Sequence, residues 1–471
     1  MKTRIEHDLL GEREVPAEAY YGVQTLRAIE NFANISEITI SHYPHYVTAL
    51  AMVKWAAAKA NMELSILPED IGKAIQKACE EIIDGDFQDQ FPVDLIQGGA
   101  GTSTNMNINE VVANRALEIL GHKKGEYEFC HPNDHVNLSQ STNDAYPTAF
   151  KLAFIRMNKD LVAELRKSVA SFRAKGVEFK DVLKMGRTQL QDAVPMTVGQ
   201  EFEAFAATLE EEIDRLNQMS KLFLEVNMGA TAIGTGINSE PGYSDKCIRA
   251  LRVISGEEFV LAGNLIEATP DAGSSVIYSS AIKRLAVKLS KICNDLRLLS
   301  SGPRCGLNEL NLPPMQPGSS IMPGKVNPVI PEVVNQICFR IIGNDLTVTF
   351  AAEAGQLQLN VMEPVLVHSI FSSIKMMMHG LERLRTLCVD GITVNADHMK
   401  DMIMNSIGIV TALNPTLGYK NSSRIAKRAL KENRSVYELV LEENLLTKKE
   451  LDELLKPENM IQPHKFYKKE K

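Results

Sequence analysis

Four stretches of the chain concentrate hydroxyls, amides and glycines: GGAGTSTNMNINE at 98–110, HPNDHVNLSQSTND at 131–144, GRTQLQD at 186–192 and GSSIMPGKVNP at 318–328. The last carries the most chemistry. Gly318 and Gly324 let a backbone approach a ligand closely. Ser319 and Ser320 offer hydroxyls, Lys325 a full positive charge, and Asn327 an amide two residues later. Three of the four stretches run into helical patterns, from Asn107, Pro147 and Pro328 onward, and proline suits a first helical turn. A helix N-terminus surrounded by Ser, Thr and Asn presents free N–H groups and partial positive charge, which together bind anions. The plainer alternative is that these residues only cap helices and make turns, for Ser141, Thr142 and Asn143 as much as for the serine pair.

His131 and His135 are four apart, but Pro132 lies between them in a loop, which suits hydrogen bonding better than a metal pair. His42 and His45 flank Pro44 at the start of a helical pattern. No HExxH, P-loop, GxGxxG or GxSxG motif occurs, and the other three polar stretches contain no histidine. Any catalysis here works without an obvious histidine base or metal. Hydroxyls, amides, a lysine and helix ends suit the stabilisation of a delocalised anion by many hydrogen bonds.

Long helices must position these groups. Ile282, Leu285, Leu289, Ile292, Leu296 and Leu299 step by three and four, a heptad seam. Phe150, Phe154, Met157, Leu161, Leu165, Val169 and Phe172 repeat the theme, as do Phe202, Leu209, Leu216, Met219 and Phe223. A helix of about 26 residues is roughly 40 Å long, and several such helices bundle. Segments 321–350 and 361–387 are apolar around much of the helix, so they need cover on several sides. That predicts subunits sharing one bundle in an obligate oligomer. Shorter helical patterns fill the N-terminal part (47–62, 69–83, 107–120) and the tail (397–404, 422–431, 436–443, 448–455). Asn414-Pro415 and Gly418-Tyr419 punctuate the tail. The expected division is a mixed, mostly helical domain at 1–142, a long-helix domain at 143–395 and a small helical domain at 396–471.

The 471 residues suffice for a large core, and 44 % apolar with 23 % charged residues is ordinary for a globular protein. A net charge of −8 argues against nucleic acid or an anionic membrane as partner. No apolar run has the length of a membrane span. The N-terminus lacks the apolar core of a signal peptide. The seven cysteines, an odd count with no CxxC pair, read as reduced thiols. These features point to a cytoplasmic location.

GSSIMPGKVNP, GTSTNMNINEVVANRA and HPNDHVNLSQSTNDAYPTA together resemble, in order and spacing, the three signature regions of the aspartase/fumarase superfamily, over essentially the whole chain. Within it, GRTQ, where fumarases typically read GRTH, resembles the aspartases. So do the stretches 327–345 and QLQLNVMEP at 356–364. PGK in the serine loop is a fumarase-like detail. The resemblance implies a mainly α fold of three domains with a central long-helix bundle. Four subunits would share a helical core, and each active site would draw on three of them. It implies elimination of ammonia from L-aspartate to give fumarate, with fumarate hydration to malate as the alternative. Ser319 would be the general base. Thr102, Ser141, Thr142 and Ser320 would bind the β-carboxylate, and Lys325, Asn327 and Thr188 the α-carboxylate. Asn143 with Gln189 would face the ammonium, supported by Glu332. His131, Asn133 and Asp134 resemble a second anion site of fumarases. No cofactor is implied for the chemistry, although activation by a divalent ion such as Mg2+ belongs to the family. A non-catalytic scaffold is the rival from another class, against which the intact Ser319, Lys325, Asn143 and Thr188 speak.

Overall fold

The computed structural model describes residues 2–463. The first part of the chain holds β1 (Thr3–Asp8), β2 (Gly11–Pro16), α1 (Val23–Phe32), α2 (Pro44–Glu63), α3 (Glu69–Asp84) and α4 (Thr102–Ile119). Next come α5 (Thr142–Glu178), β3 (Leu183–Thr188), β4 (Gln191–Thr197), α6 (Val198–Ser220), β5 (Glu225–Val226), α7 (Tyr243–Ser255), β6 (Val260–Leu261) and α8 (Leu265–Ala268). Then follow α9 (Gly273–Leu299), β7 (Leu310–Asn311), α10 (Val329–Glu353), α11 (Glu363–Leu387) and β8 (Thr393–Val394). The tail adds α12 (Ala396–Asn405), α13 (Val410–Leu417), α14 (Tyr419–Glu432), α15 (Val436–Glu442), α16 (Lys448–Leu454) and α17 (Pro457–Met460). The fold is mainly helical, and among the described residues the strands form two-stranded pairs.

The chain divides into two compact units. The first holds residues up to 163, 213–286 and 339–378; the second holds 164–212, 287–338 and 379 onward. The divisions fall inside α5, α6, α9, α10 and α11. In the first unit, α2 packs against α3 and α7. Its buried alanines at 49, 51, 56–58 and 60 let those neighbours approach closely. A chain of buried rings, Tyr46, Tyr146, Phe150, Phe154, Phe223, Tyr278 and Phe371, ties α2, α5, α9 and α11 together. In the second unit, Phe172, Phe179, Phe202 and Phe205 interlock, mostly edge to face, between α6 and the C-terminal end of α5. The tail helices close over Ile403, Leu413, Ile425, Leu439 and Leu451, with Met185 of β3 in the same cluster. The heptad seam from Ile282 to Leu299 is buried throughout. All seven cysteines are free thiols, and only Cys305 is exposed.

Two local expectations are corrected. Two of the polar stretches do not merely precede helices but form their first turns: α4 starts at Thr102 and α5 at Thr142. Pro147 therefore lies inside α5. It cannot donate to the carbonyl four residues back, and the Asn227 side chain donates to that Asn143 carbonyl instead, at 3.0 Å. In the tail, Pro415 lies within α13, and Gly418, at φ +75°, marks its end. Residues 186–192 span the end of β3, the two-residue turn at 189 and 190, and the start of β4.

Candidate active site

The expected residues fall into two groups, one in each unit. Thr102, Ser141, Thr142 and Asn143 lie in the first. Thr188, Gln189, Ser319, Ser320, Lys325, Asn327 and Glu332 lie in the second.

In the first unit the group is built on the N-termini of α4 and α5. Gly101 precedes α4 at φ +88°, and a Cβ there would sit 2.6 Å from the Tyr146 ring, so only glycine fits. Exposed Thr102 opens α4 and donates to the Gly99 carbonyl at 2.8 Å. One turn on, Asn105 donates to the Thr142 hydroxyl at 3.1 Å, joining the two helix starts. Asn105 and Asn137 accept from buried Lys54 at 2.7 and 3.0 Å, and Gln140 does so at 2.8 Å. Burial pulls the Lys54 pKa down to about 7, against the pull of nearby Asp144.

Ser141 caps α5 reciprocally with Asp144. The Ser141 N–H donates to the Asp144 carboxylate at 3.0 Å, and the Ser141 hydroxyl accepts from the Asn143 N–H at 3.2 Å. The second Asp144 oxygen accepts the N–H groups of Gly229 and Thr231, both at 3.0 Å. Burial raises Asp144 to about 6; these three N–H bonds and Lys54 hold it down. The segment so pinned accepts the Asn143 amide N–H at the Ala232 carbonyl, 2.7 Å away. A carbonyl can only accept, so the Asn143 side chain must turn its NH2 to Ala232 and can offer Oδ1 as an acceptor.

Sequence reasoning missed Lys54, Asn105, Asp144 and the 227–232 segment. The available signals were a lysine inside an apolar helical run and the small-residue stretch NMGATAIGTG.

Asn133 and Asp134 lie on a π-helical turn that His131 caps. The His131 Nδ1 accepts from the N–H groups of Asn133 and Asp134 at 3.1 and 3.2 Å. His131 and Asn133 line a cleft of about 710 Å³ with Ser103, Tyr127 and Arg27, the last already paired with Asp8 at 2.7 Å.

In the second unit, Thr188 and Gln189 stand exposed at the tip of the β3–β4 hairpin. Gln189 and Leu190, at φ +54° and +62°, make a two-residue turn of the type that matches strand twist. The serine loop is closed at its neck. The Gly318 N–H donates to the Lys325 carbonyl at 2.7 Å, and the Asn327 side chain donates to the Gly318 carbonyl at 2.8 Å. A Cβ on Gly318 would meet the Lys325 oxygen at 2.5 Å. Between these ends the loop turns back on Ser319, whose Oγ accepts the N–H groups of Ile321 and Met322, both at 3.2 Å. Ser320 and Lys325 are exposed, and half-buried Glu332 lies in the first turn of α10.

Among the described residues, no group of three or more His, Cys, Asp or Glu side chains could hold a metal ion. No described helix is long and apolar enough to cross a membrane.

Residues 11–343 match the family described as Lyase, and residues 409–462 match Fumarase C C-terminus. The chain belongs to the aspartase/fumarase superfamily of lyases. It is 61 % identical to an aspartate ammonia-lyase of Pseudomonas aeruginosa, over 98 % of this chain and 97 % of that one. It is 57 % identical to that of Helicobacter pylori, over 99 % of both chains. Among solved structures, a fumarate lyase:delta crystallin from Brucella melitensis, bound to cobalt, superposes with a TM-score of 0.95 at 55 % identity, over 98 % of this chain and all of that one. A class II fumarase from Schistosoma mansoni gives 0.90 at 35 % identity, with the same coverage.

Proposed function

We infer that this chain is a carbon–nitrogen lyase that reversibly deaminates L-aspartate to fumarate and ammonia, with Ser319 as the base. The observation that carries the assignment of the base is the pair of backbone N–H groups on its Oγ. An unaided serine hydroxyl is too weakly acidic to ionise near neutral pH. Donors aimed at the oxygen favour its charged form, and Lys325 on the same loop adds a positive charge.

The Ser319 alkoxide takes a proton from the carbon beside the β-carboxylate. The released electron pair moves into that carboxylate, forming an enediolate. Thr102, Ser141, Thr142 and Ser320 are proposed to receive this charge. One oxyanion donor is worth about 2.7–4 kcal/mol, so several supply on the order of 10 kcal/mol. Lys325, Asn327 and Thr188 are proposed to hold the α-carboxylate. The enediolate then collapses into the new double bond, and the ammonium leaves with the C–N electron pair as neutral ammonia. That departure needs no acid, so the amine side can be built from Asn143 Oδ1, Gln189 and Glu332 without a histidine. Loss of water from malate needs a proton on the leaving oxygen, and the relatives named aspartate ammonia-lyase are also far closer in sequence than the fumarase.

We also propose that four copies share their long helices, with each site completed by three of them, and that the chain follows the family's three-domain division (1–142, 143–395, 396–471). The apolar face left open on α10 supports the assembly: Phe339, Ile342, Leu346 and Phe350 are all exposed. His131, Asn133 and Asp134 are proposed as a second anion site, and the location as cytoplasmic. Activation by Mg2+ is proposed from the family alone, and no step above passes through a metal.

The test is fumarate absorbance with L-aspartate and L-malate in parallel. Signal from L-aspartate that disappears in Ser319→Ala is expected. Signal from L-malate alone would overturn the reading.

A further inference from the structure

Four charged side chains lie together under the hairpin that carries Thr188 and Gln189. Lys184 and Arg187 belong to β3, Glu201 to α6, and Glu309 immediately precedes β7. Lys184 and Glu309 are almost wholly buried, at 2 % and 1 % side-chain exposure. One Glu309 oxygen lies 3.0 Å from the Lys184 ammonium, and the other lies 2.5 Å from the Arg187 guanidinium. Lys184 also meets Glu201 at 2.7 Å. Two positive charges thus face two negative ones.

Such a cluster is weak evidence for stability, because desolvation of buried ions offsets most of their attraction. Its geometry points elsewhere. Lys184 and Arg187 are three residues apart, so a regular strand would turn them to opposite faces. The β3–β4 register shifts between Met185 and Arg187, and at Gly186 a Cβ would crowd the Val194 carbonyl at 2.9 Å. Irregularities of this kind re-aim side chains, and here both cations reach one carboxylate. Glu309 is itself firmly seated. Its N–H donates to the Leu299 carbonyl at 2.9 Å, and its own carbonyl accepts from Asn395 at 3.0 Å. Leu310 then pairs with Val394, and the chain runs on to the serine loop at Gly318.

We propose that Glu309 is a positioning residue: from a fixed backbone seat its carboxylate holds Lys184 and Arg187, and so aims the next residues along the strand, Thr188 and Gln189, at the substrate. This rests on the reading that Thr188 binds the α-carboxylate. The hairpin tip is otherwise exposed, and its turn carries two non-glycine residues at positive φ. An anchor one residue before Thr188 is what such a tip needs to keep one direction.

The experiment measures KM and kcat for L-aspartate in Glu309→Gln, Glu309→Asp, Arg187→Gln, the double variant Glu309→Gln/Arg187→Gln, and Thr188→Val. Thermal midpoints are recorded alongside. The expected result is a KM raised about tenfold in Glu309→Gln and in Arg187→Gln, with kcat changed less than about threefold. The double variant should be no worse than either single one, and Glu309→Asp should recover part of the loss. If Thr188→Val raises KM while Glu309→Gln and Arg187→Gln leave it within twofold, the cluster is only structural and the proposal fails. If Thr188→Val also leaves KM unchanged, the reading of Thr188 fails first and takes the proposal with it. Should Glu309→Gln not fold, Arg187→Gln carries the same decision, since its side chain is the link next to Thr188.

Discussion

At the scale of single residues, the site depends on which atom each polar side chain has left to offer. Asn143 gives its NH2 to the Ala232 carbonyl and can present Oδ1, an acceptor suited to an ammonium. A hydrogen bond to a charged group is worth about 1.5–3 kcal/mol, roughly tenfold to a hundredfold in affinity. Asn143→Ala is therefore expected to raise KM for L-aspartate by that factor. It should leave inhibition by succinate, which has both carboxylates and no amine, within about threefold. Equal losses for both ligands would place Asn143 elsewhere in the site. Gln189→His tests the same side from the other direction. A histidine can protonate a leaving hydroxide, so the variant should gain activity on L-malate relative to L-aspartate. If neither rate changes, Gln189 does not face the leaving group. The candidate residues themselves were legible because hydroxyls, amides and glycines cluster visibly in a sequence. Their partners were not. Lys54 sits in a helix whose composition reads as packing, and nothing in its polar stretch sets Asn105 apart from the neighbouring amides; only the fold brings the pair behind Thr142.

At the scale of elements, long helices were legible and their ends were not. Apolar spacing survives any change of neighbours, so α9 and the body of α5 follow directly from it. The start of α5 depends on Asn227, far along the chain, which replaces the hydrogen bond that Pro147 cannot make. The β3–β4 hairpin shows no Asn-Gly turn, and the charges paired with its Lys184 and Arg187 come from α6 and the segment before β7, far apart in the sequence. Elements also hold charge away from water at a cost that depends on pH. Glu363, at the start of α11, is fully buried, and burial raises its carboxyl to about 8 against the attraction of Lys151. Tyr46 and Tyr146 also face it. The folded chain therefore holds this proton more tightly than the unfolded chain, whose carboxyl titrates near 4.5. Its stabilising contribution is complete below that value and is lost as pH rises through about 8. Glu363→Gln cannot ionise, so its thermal midpoint should fall less than that of the parent between about pH 5 and 8. Parallel curves for the two proteins would show that Glu363 is already ionised when folded.

At the scale of the whole molecule, the open face of α10 sets the requirement. Phe339, Ile342, Leu346 and Phe350 step by three, four and four, so they line one side of the helix. Phe339, Leu346 and Phe350 are 61 %, 57 % and 65 % exposed, where each large apolar side chain, fully covered, would contribute about 1.5–3 kcal/mol. A second copy of this chain can supply that cover. Leu346→Glu should place a charge in the contact and separate the subunits in sedimentation, with helical circular dichroism retained and activity lost. An active monomer would refute a shared site. The sharing can also be counted. Ser319→Ala and Asn143→Ala, each of low activity alone when L-aspartate is kept well below the raised KM of the second, can be dissociated together, mixed in equal amounts and reassembled. A site that takes Ser319 from one copy and Asn143 from another is intact only when the first copy carries the Asn143 change and the second the Ser319 change. Random assembly makes this so in about a quarter of sites. Recovery of about a quarter of the parent activity would demonstrate that the two groups of residues come from different copies. If the mixture stays at the level of its parts, both groups belong to one chain.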